Sequence, residues 1–160
     1  MLTAERLKQL VSYDPETGVF TNSAPRKKVR VGEVAGALDK SNGYIKLTID
    51  RRHYFAHRLA FLFVNGEWPT GIVDHINGNK TDNKLANLRQ GSRELNQQNM
   101  RSANKASSSG LLGAFKKRDK WESKIKVHGK AIGLGSFDTA EKAHHAYVQA
   151  KRLHHAGCTI

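Results

Sequence analysis

Three residues in the middle of the chain have side chains that could together hydrolyse a phosphodiester bond. Asp74 and Asn96 carry hard oxygen donors, the ligand type that Mg²⁺ prefers. His75 directly follows Asp74, and on a strand it would lie on the opposite side, where an imidazole can act on a water molecule rather than on the metal. Mg²⁺ usually takes one or two protein oxygens and fills its other positions with water and substrate phosphate. Two protein ligands and a histidine base are therefore sufficient parts for hydrolysis.

Two short strands, a loop and a helix must position these side chains. Residues 72–76 form a β-rich run, residues 77–83 form a polar loop, and residues 87–89 can form a second strand. Ser92 is a suitable N-cap for a helix that extends to Met100 and carries the amide ligand. The same residue types also suit an ordinary Asn-rich turn with a hydrogen-bonded histidine, so residue type alone leaves both interpretations open.

The residues before this motif predict further small elements. Thr3 to Tyr13 has the apolar spacing of a short amphipathic helix. Residues 44–49 and 53–56 alternate as the two strands of a hairpin. A continuous apolar run from His57 to Val64 predicts a buried helix, and we expect a structural role for His57 at its start.

The charge of the chain points to a polyanionic partner. The 160 residues hold 27 basic and 14 acidic side chains, a net charge of +13, and the pI is near 10.1. Residues 1–60 carry a net charge of +5, residues 61–100 carry none, and residues 101–160 carry +8. We therefore expect the two ends to bind phosphates while the middle does something else. A lysine-rich surface that only maintains solubility is the alternative.

Several classes of protein are excluded by the same composition. No apolar run is long enough to cross a membrane, and the charges among the first apolar residues do not fit the apolar h-region of a signal peptide. Cys158 stands alone, which excludes a disulfide framework and a cysteine-built zinc site. We expect a cytoplasmic protein.

The last third predicts a second module after a linker. Residues 101–110 are small and polar and have no apolar face. Residues 111–137 alternate as three strands, and Thr139 caps a helix with an alanine-rich stripe. The expected open face of the sheet carries four cations: Lys116, Arg118, Lys124 and Lys126. These side chains either bind DNA in its major groove or form a solvated face.

The central motif resembles the H-N-H endonucleases of phages, above all the free-standing and intron-encoded homing endonucleases. The resemblance is carried by residues 73–83, 87–89 and 96–99, and the stretches 12–20 and 56–60 extend it. It implies that the protein is a DNA endonuclease with a ββα-metal core.

The resemblance also implies a role for each matching residue. His75 matches the general base, Asp74 and Asn96 match the metal ligands, and Asn87 matches the asparagine that supports the ββ turn and the base. Asn96 replaces the histidine of the third position, and Asn99 is a weaker substitute for it. One Mg²⁺ or Mn²⁺ ion would stabilise charge on the scissile phosphate and the leaving 3′ oxygen. The products would carry 5′-phosphate and 3′-hydroxyl ends.

The last third resembles the ethylene-response-factor (APETALA-type) DNA-binding domain. The residues that carry this resemblance are Ser109, Gly110, Gly113, Lys120–Val127, Gly129, Lys130, Leu134–Phe137, Ala140–Ala143, Ala146, Tyr147 and Ala150. It implies that sheet side chains contact the major groove. The matching positions are Lys116, Arg118, Lys120, Lys124 and Lys126. Ala131 and Gly133 stand where the plant domains usually carry an arginine and a tryptophan, which favours backbone contacts over base readout.

These observations predict an α+β protein built from two modules. We expect an H-N-H nuclease domain with N-terminal hairpins at residues 1–100, a flexible linker at 101–108, and a three-stranded antiparallel sheet backed by one helix at 109–160. The expected partner is double-stranded DNA, with no membrane and no small-molecule cofactor, and a monomer is favoured with a dimer left open. The alternatives are a DNA-binding regulator with an inactive nuclease core and, less favoured, an RNA-binding protein.

Overall fold

The computed structural model describes residues 1–104 and 106–160 and divides into two compact units, Met1–Ser92 and Arg93–Ile160. Helices and small antiparallel sheets alternate along the described chain, so the predicted α+β class is confirmed. Lys105, which belongs to the predicted linker 101–108, lies outside the described residues. The predicted domain boundaries stay predictions.

The first unit begins with a helix and a small hairpin. Helix α1 spans Ala4–Leu10, and the hydroxyl of its N-cap Thr3 accepts the backbone N–H of Arg6. The prediction that this helix reaches Tyr13 was wrong, because Val11–Tyr13 forms strand β1 and pairs with β2, Phe20–Asn22. Both end residues of β1 are buried while the central one is exposed, the period-two pattern of a strand.

Three strands form an antiparallel meander in the first unit. Strand β3 spans Ala37–Asp39, β4 spans Tyr44–Ile49 and β5 spans Arg52–Phe55. The predicted hairpin is confirmed, and Asp50 and Arg51 make its two-residue turn with positive φ angles of 47° and 65°. Strand β3 was not predicted, because its three residues are largely exposed and show no alternation.

Helix α2 closes the core of the first unit. It spans Ala56–Asn65 and ends at Gly66, whose φ of 82° makes a left-handed C-cap. The core combines side chains from α1, α2 and the strands. Its largest fully buried side chains are Leu7, Val11, Leu47, Ile49, Leu59 and Leu62.

A two-stranded sheet follows and carries the chemistry predicted from the sequence. Strand β6 spans Ile72–His75 and pairs antiparallel with β7, Leu88–Gly91. A 3-10 turn at Leu85–Asn87 precedes β7. The predicted strand–loop–strand arrangement is therefore confirmed.

The second unit contains a short helix, a sheet and a long helix. Helix α3 spans Arg93–Gln98. Strands β8 (Ala114–Lys117), β9 (Lys120–Val127) and β10 (Lys130–Phe137) form an antiparallel sheet in which β9 is central. Helix α4, Ala140–His154, packs against this sheet, so the predicted sheet backed by one helix is confirmed.

The core of the second unit is built from small residues. Ala114, Ala140 and Ala143 are buried, and Leu111, Trp121 and Phe137 pack around them. Gly113 has a φ of 77°, and a Cβ there would lie 2.0 Å from Cγ of Tyr147. Only glycine lets the helix side chain approach the chain this closely.

No helix in the described residues is long and apolar enough to cross a membrane.

Candidate active site

Strand β6 places the two chemically important residues on opposite faces. Successive side chains of a strand alternate, so Asp74 and His75 diverge. His75 is 3% exposed, whereas the side chain of Asp74 is 13% exposed. Their neighbours on β7 are Arg89 opposite Asp74 and Leu88 opposite His75. The sequence-based expectation that the histidine would lie away from the carboxylate is met in this hairpin.

The loop between the two strands is held by Asn87. Its Oδ1 accepts the backbone N–H of Asn77 at 2.9 Å, and its Nδ2 donates to the carbonyl of Asp82 at 2.8 Å. The carbonyl of Asn87 also accepts the N–H of Ile76 at 2.8 Å. One asparagine thus connects both ends of the loop. The contribution of Asn87 to activity stays a prediction.

His75 lies among aromatic side chains and bonds to a different asparagine. Its Nε2 lies 3.2 Å from Oδ1 of Asn83. The ring of His57 meets it edge-on at a centroid distance of 5.1 Å, and the ring of Tyr44 lies at 5.9 Å. Burial lowers the pKa of His75, although Asn83 and Asp74 act in the opposite direction. The neutral imidazole that a general base requires is therefore favoured.

His57 is buried beside this ring and is held by aromatic contacts. Its ring stacks on Phe55 at 5.4 Å with an interplanar angle of 17°. Burial, with a smaller contribution from His75, lowers its pKa to about 3. Its Nδ1 has no hydrogen-bond partner among the described residues. The structural role predicted for His57 is consistent with these contacts.

Asp74 forms an ion pair with its cross-strand neighbour. Its Oδ2 accepts from Nη2 of Arg89 at 3.0 Å and from Nε at 3.3 Å. Both bonds fall on one oxygen of the carboxylate. No cluster of three His, Cys, Asp or Glu residues that could hold a metal occurs in residues 1–104 and 106–160. Asp74 itself supplies a hard oxygen donor, a ligand type that Mg²⁺ accepts when water and phosphate complete its shell.

The N-terminal hairpin supports the loop that holds His75. The hydroxyl of Tyr13 donates to the carbonyl of Asn83 at 2.7 Å, and burial raises the pKa of this tyrosine to about 12. The N–H of Leu85 donates to the carbonyl of Pro15 at 3.0 Å. A Cβ on Gly18, whose φ is 74°, would lie 2.4 Å from the carbonyl carbon of Asn83. The chain before the motif therefore packs directly on the loop.

Sequence reasoning missed Asn83, Tyr13 and Tyr44 as contributors to this site. Asn83 lies in an Asn-rich loop, where residue type does not distinguish one asparagine from another. The one available signal was the resemblance of the stretch 12–20 to the same family, which contains Tyr13 and Gly18. That resemblance indicated a shared function for the hairpin without saying what it contacts.

Asn96, the second predicted metal ligand, lies on α3 in the second unit. Asn99 is just beyond that helix, and its Oδ1 accepts the hydroxyl of Thr159 at 2.6 Å. The amide oxygen of Asn99 is thus already engaged, which supports Asn96 as the better candidate. The ligand role of Asn96 stays a prediction.

The predicted cations of the second unit do not all share one face of the sheet. Residues directly opposite in an antiparallel pair lie on the same side, and Lys116 pairs with Trp121, which faces α4. Nζ of Lys116 lies 5.0 Å from the centre of that ring. The expectation that Lys116 lies beside Lys124 and Lys126 was therefore wrong. Arg118 lies in the β8–β9 turn with a φ of 52°.

The open face retains three of the predicted lysines. Lys120, Lys124 and Lys126 alternate along one side of β9 and are exposed. Lys120 forms an ion pair with Asp138 that lowers the pKa of this carboxyl group. Ala131 lies opposite Lys126, and Gly133 lies opposite Lys124. These small neighbours leave both lysines uncovered. The DNA-binding roles of all five cations stay predictions.

Comparisons with known proteins identify the class of the domain that contains the site. A family model described as HNH endonuclease matches residues 54–98, from β5 to the end of α3. The matched range includes Asp74, His75, Asn83, Asn87 and Asn96. Residues 54–98 thus form an HNH endonuclease domain, and this part of the predicted family is confirmed.

A curated relative extends the similarity beyond that domain. The chain is 34% identical over 107 residues to Protein 3.8 of Escherichia phage T7, an alignment that covers 65% of this chain and 84% of the relative. The chain belongs to the family of that phage protein. No solved structure matches it. Neither match is to an ethylene-response-factor domain, so the resemblance of residues 109–153 to that domain stays a prediction.

Proposed function

We propose that this protein is a metal-dependent DNA endonuclease that hydrolyses a phosphodiester bond with His75 as general base. The observation that carries the proposal is a buried imidazole with a lowered pKa, next to a partly exposed carboxylate in a supported ββ hairpin. That hairpin lies inside the matched HNH endonuclease range. A neutral imidazole accepts a proton near pH 7, and the adjacent carboxylate supplies a hard oxygen.

Each residue of the hairpin has a separate task in this proposal. His75 takes the proton from the attacking water, and burial keeps the imidazole neutral until then. Asp74 would hold one Mg²⁺ or Mn²⁺ ion, and the sequence motif adds Asn96 as a second ligand. The bound ion would stabilise the charge that develops on the phosphate and the leaving 3′ oxygen. Asn87 keeps the loop in place through its two hydrogen bonds.

The second unit would contribute DNA affinity. Lys120, Lys124 and Lys126 lie on the open sheet face, and exposed lysines bind phosphates without base specificity. The resemblance to the ethylene-response-factor domain supports contacts in the major groove. We infer a homing-type enzyme from the motif resemblance, with 5′-phosphate and 3′-hydroxyl products and a phage-infected bacterial cytoplasm as its site of action.

The test is cleavage of a supercoiled plasmid by the purified protein with Mg²⁺, with Mn²⁺ and with EDTA. We expect relaxed or linear DNA with either metal and none with EDTA. A parallel reaction on double-stranded RNA of similar length should give no product. If DNA binds but stays intact under every metal condition, the protein is a DNA-binding regulator with an inactive core instead.

A further inference from the structure

The side-chain amide of Asn83 has one orientation that satisfies its surroundings. Its Nδ2 donates to the carbonyl of Thr81 at 3.1 Å, which directs Oδ1 toward Nε2 of His75 at 3.2 Å. In the flipped amide, Oδ1 would face the carbonyl oxygen of Thr81, and two acceptors would oppose each other. Asn83 is 4% exposed, so solvent cannot compensate for that loss.

This orientation decides where the proton of the neutral His75 ring lies. An amide oxygen only accepts hydrogen bonds, so Nε2 must carry the hydrogen. In a neutral imidazole the other nitrogen then holds the lone pair. Nδ1 is therefore the basic atom of His75 in the neutral ring.

Residues far from Asn83 in the sequence hold it in this position. The hydroxyl of Tyr13 donates to the carbonyl oxygen of Asn83 at 2.7 Å. The backbone of Gly18 lies so close that a Cβ on Gly18 would come within 2.4 Å of the carbonyl carbon of Asn83. The tyrosine bond and the close approach of Gly18 both restrain the backbone of Asn83. The bond from Nδ2 to the carbonyl of Thr81 then orients the side chain toward His75.

We propose that Asn83 is a positioning residue that selects the Nε2–H tautomer of His75 and so makes Nδ1 the atom that takes the proton from water. The part of this inference that concerns the reaction rests on the proposed function. The tautomer itself is a property of the folded protein without metal or DNA, so the two can be tested separately.

The direct test is the ¹⁵N NMR spectrum of the histidine rings in the full chain at a pH where His75 is neutral. The His75 signals are assigned as those that disappear in His75→Gln. We expect the ring proton on Nε2 in the wild-type protein and a larger share of the Nδ1–H tautomer in Asn83→Ala. Asn65→Ala, which removes an exposed asparagine of the same unit, should leave the His75 signals unchanged.

Two results would overturn the proposal. The first is a His75 ring proton on Nδ1 in the wild-type protein. This result needs no variant, so the test stays decisive if Asn83→Ala fails to fold. The second is a His75 spectrum that is the same in folded Asn83→Ala as in the wild-type protein.

Cleavage kinetics then connect the tautomer to the reaction. We expect Asn83→Ala to lower kcat by about 10- to 100-fold with KM for DNA unchanged. A rise in KM with kcat unchanged would contradict a positioning role. If the wild-type protein cleaves no DNA, the proposed function fails, whereas the NMR result still decides the tautomer.

Discussion

The two units use ionisable side chains in opposite ways. In the first unit, His57 and His75 are buried, and burial lowers the pKa of each, so both rings are neutral when the protein is folded near pH 7. In the second unit, Lys124 and Lys126 project from a sheet and stay exposed. Burial keeps a histidine neutral, which is the form that can accept a proton. Exposure leaves a lysine charged, so that it attracts phosphate.

In the proposed function, the first unit therefore supplies the general base, and the exposed lysines of the second unit supply DNA affinity. A substitution at the buried site should change the rate of cleavage and leave binding nearly intact. A substitution on the exposed face should change binding and its salt dependence, with the chemical step unaffected. A buried-site variant that weakens DNA binding, or a sheet-face variant that slows the chemical step, would contradict this difference between the units.

The largest effect is expected from His75→Ala. Loss of a general base typically lowers a rate by about 10²–10⁴-fold, so we expect cleavage to be abolished in a plasmid assay. DNA affinity, measured by fluorescence anisotropy with EDTA present, should stay within a few-fold of the wild-type value. The matched control is His53→Ala, which removes an exposed histidine of β5 and should cleave normally. Loss of binding together with cleavage would show that His75 is structural.

A smaller effect is expected from Asp74→Asn. This variant retains an oxygen donor and removes one negative charge, which should weaken metal binding by about a hundredfold. The measurement is the Mg²⁺ concentration that gives half-maximal cleavage. Asp50→Asn is the control, because Asp50 is also paired with an arginine but is about half exposed. Equal metal requirements for Asp74→Asn and the wild-type protein would remove Asp74 from the metal site.

The burial of His57 predicts a pH-dependent stability. Its pKa is about 3 in the folded protein and near 6.5 when unfolded, so the unfolded chain binds more protons between these values. The stability that the neutral ring contributes is present above pH 6.5 and is lost as the pH falls toward 3. At pH 5 the loss is about 2 kcal/mol.

His57→Phe keeps an aromatic ring beside Phe55 and cannot titrate. The measurement is the thermal unfolding midpoint of the wild-type protein and of this variant at several pH values from 7 to 4. The wild-type protein should lose stability more steeply on acidification. Parallel curves would mean that His57 is not buried as a neutral ring.

The smallest effects are expected on the open sheet face. Lys124→Ala and Lys126→Ala should each weaken DNA binding several-fold and reduce the slope of log K against log salt by about one. Lys116→Ala is the matched control, because it removes the same charge from the opposite side of the same sheet. We expect a smaller change of slope for Lys116→Ala. Equal slopes for all three variants would show that the sheet face does not define the interface.

The elements were largely predictable because local patterns determine them. The alternation of Trp121 to Val127, the capping residue Thr139 and the apolar run from His57 to Val64 each indicated an element that the structure contains. The end of α1 was not predictable, because apolar residues at Val11 and Tyr13 fit a helix face and a buried strand equally well. Burial against the core decided for the strand.

The face of Lys116 illustrates a second kind of limit. Side chains alternate with a period of two, so a shift of one residue in the register of β8 against β9 exchanges the two faces. The turn at Arg118 and Asp119 sets that register and pairs Lys116 with Trp121. Counting along β8 alone cannot locate its residues relative to β9.

The sequence by itself determined that Asp74 and His75 lie on opposite sides of one strand, because adjacent residues in any strand do so. It also determined the identity of the family through the spacing of the motif. Only the tertiary structure decided that Asn83 rather than Asn87 bonds to His75, and that His57 lies against its ring. The reason is that both contacts depend on packing between segments distant in the chain, and a loop with several asparagines carries no local signal for which amide reaches the imidazole.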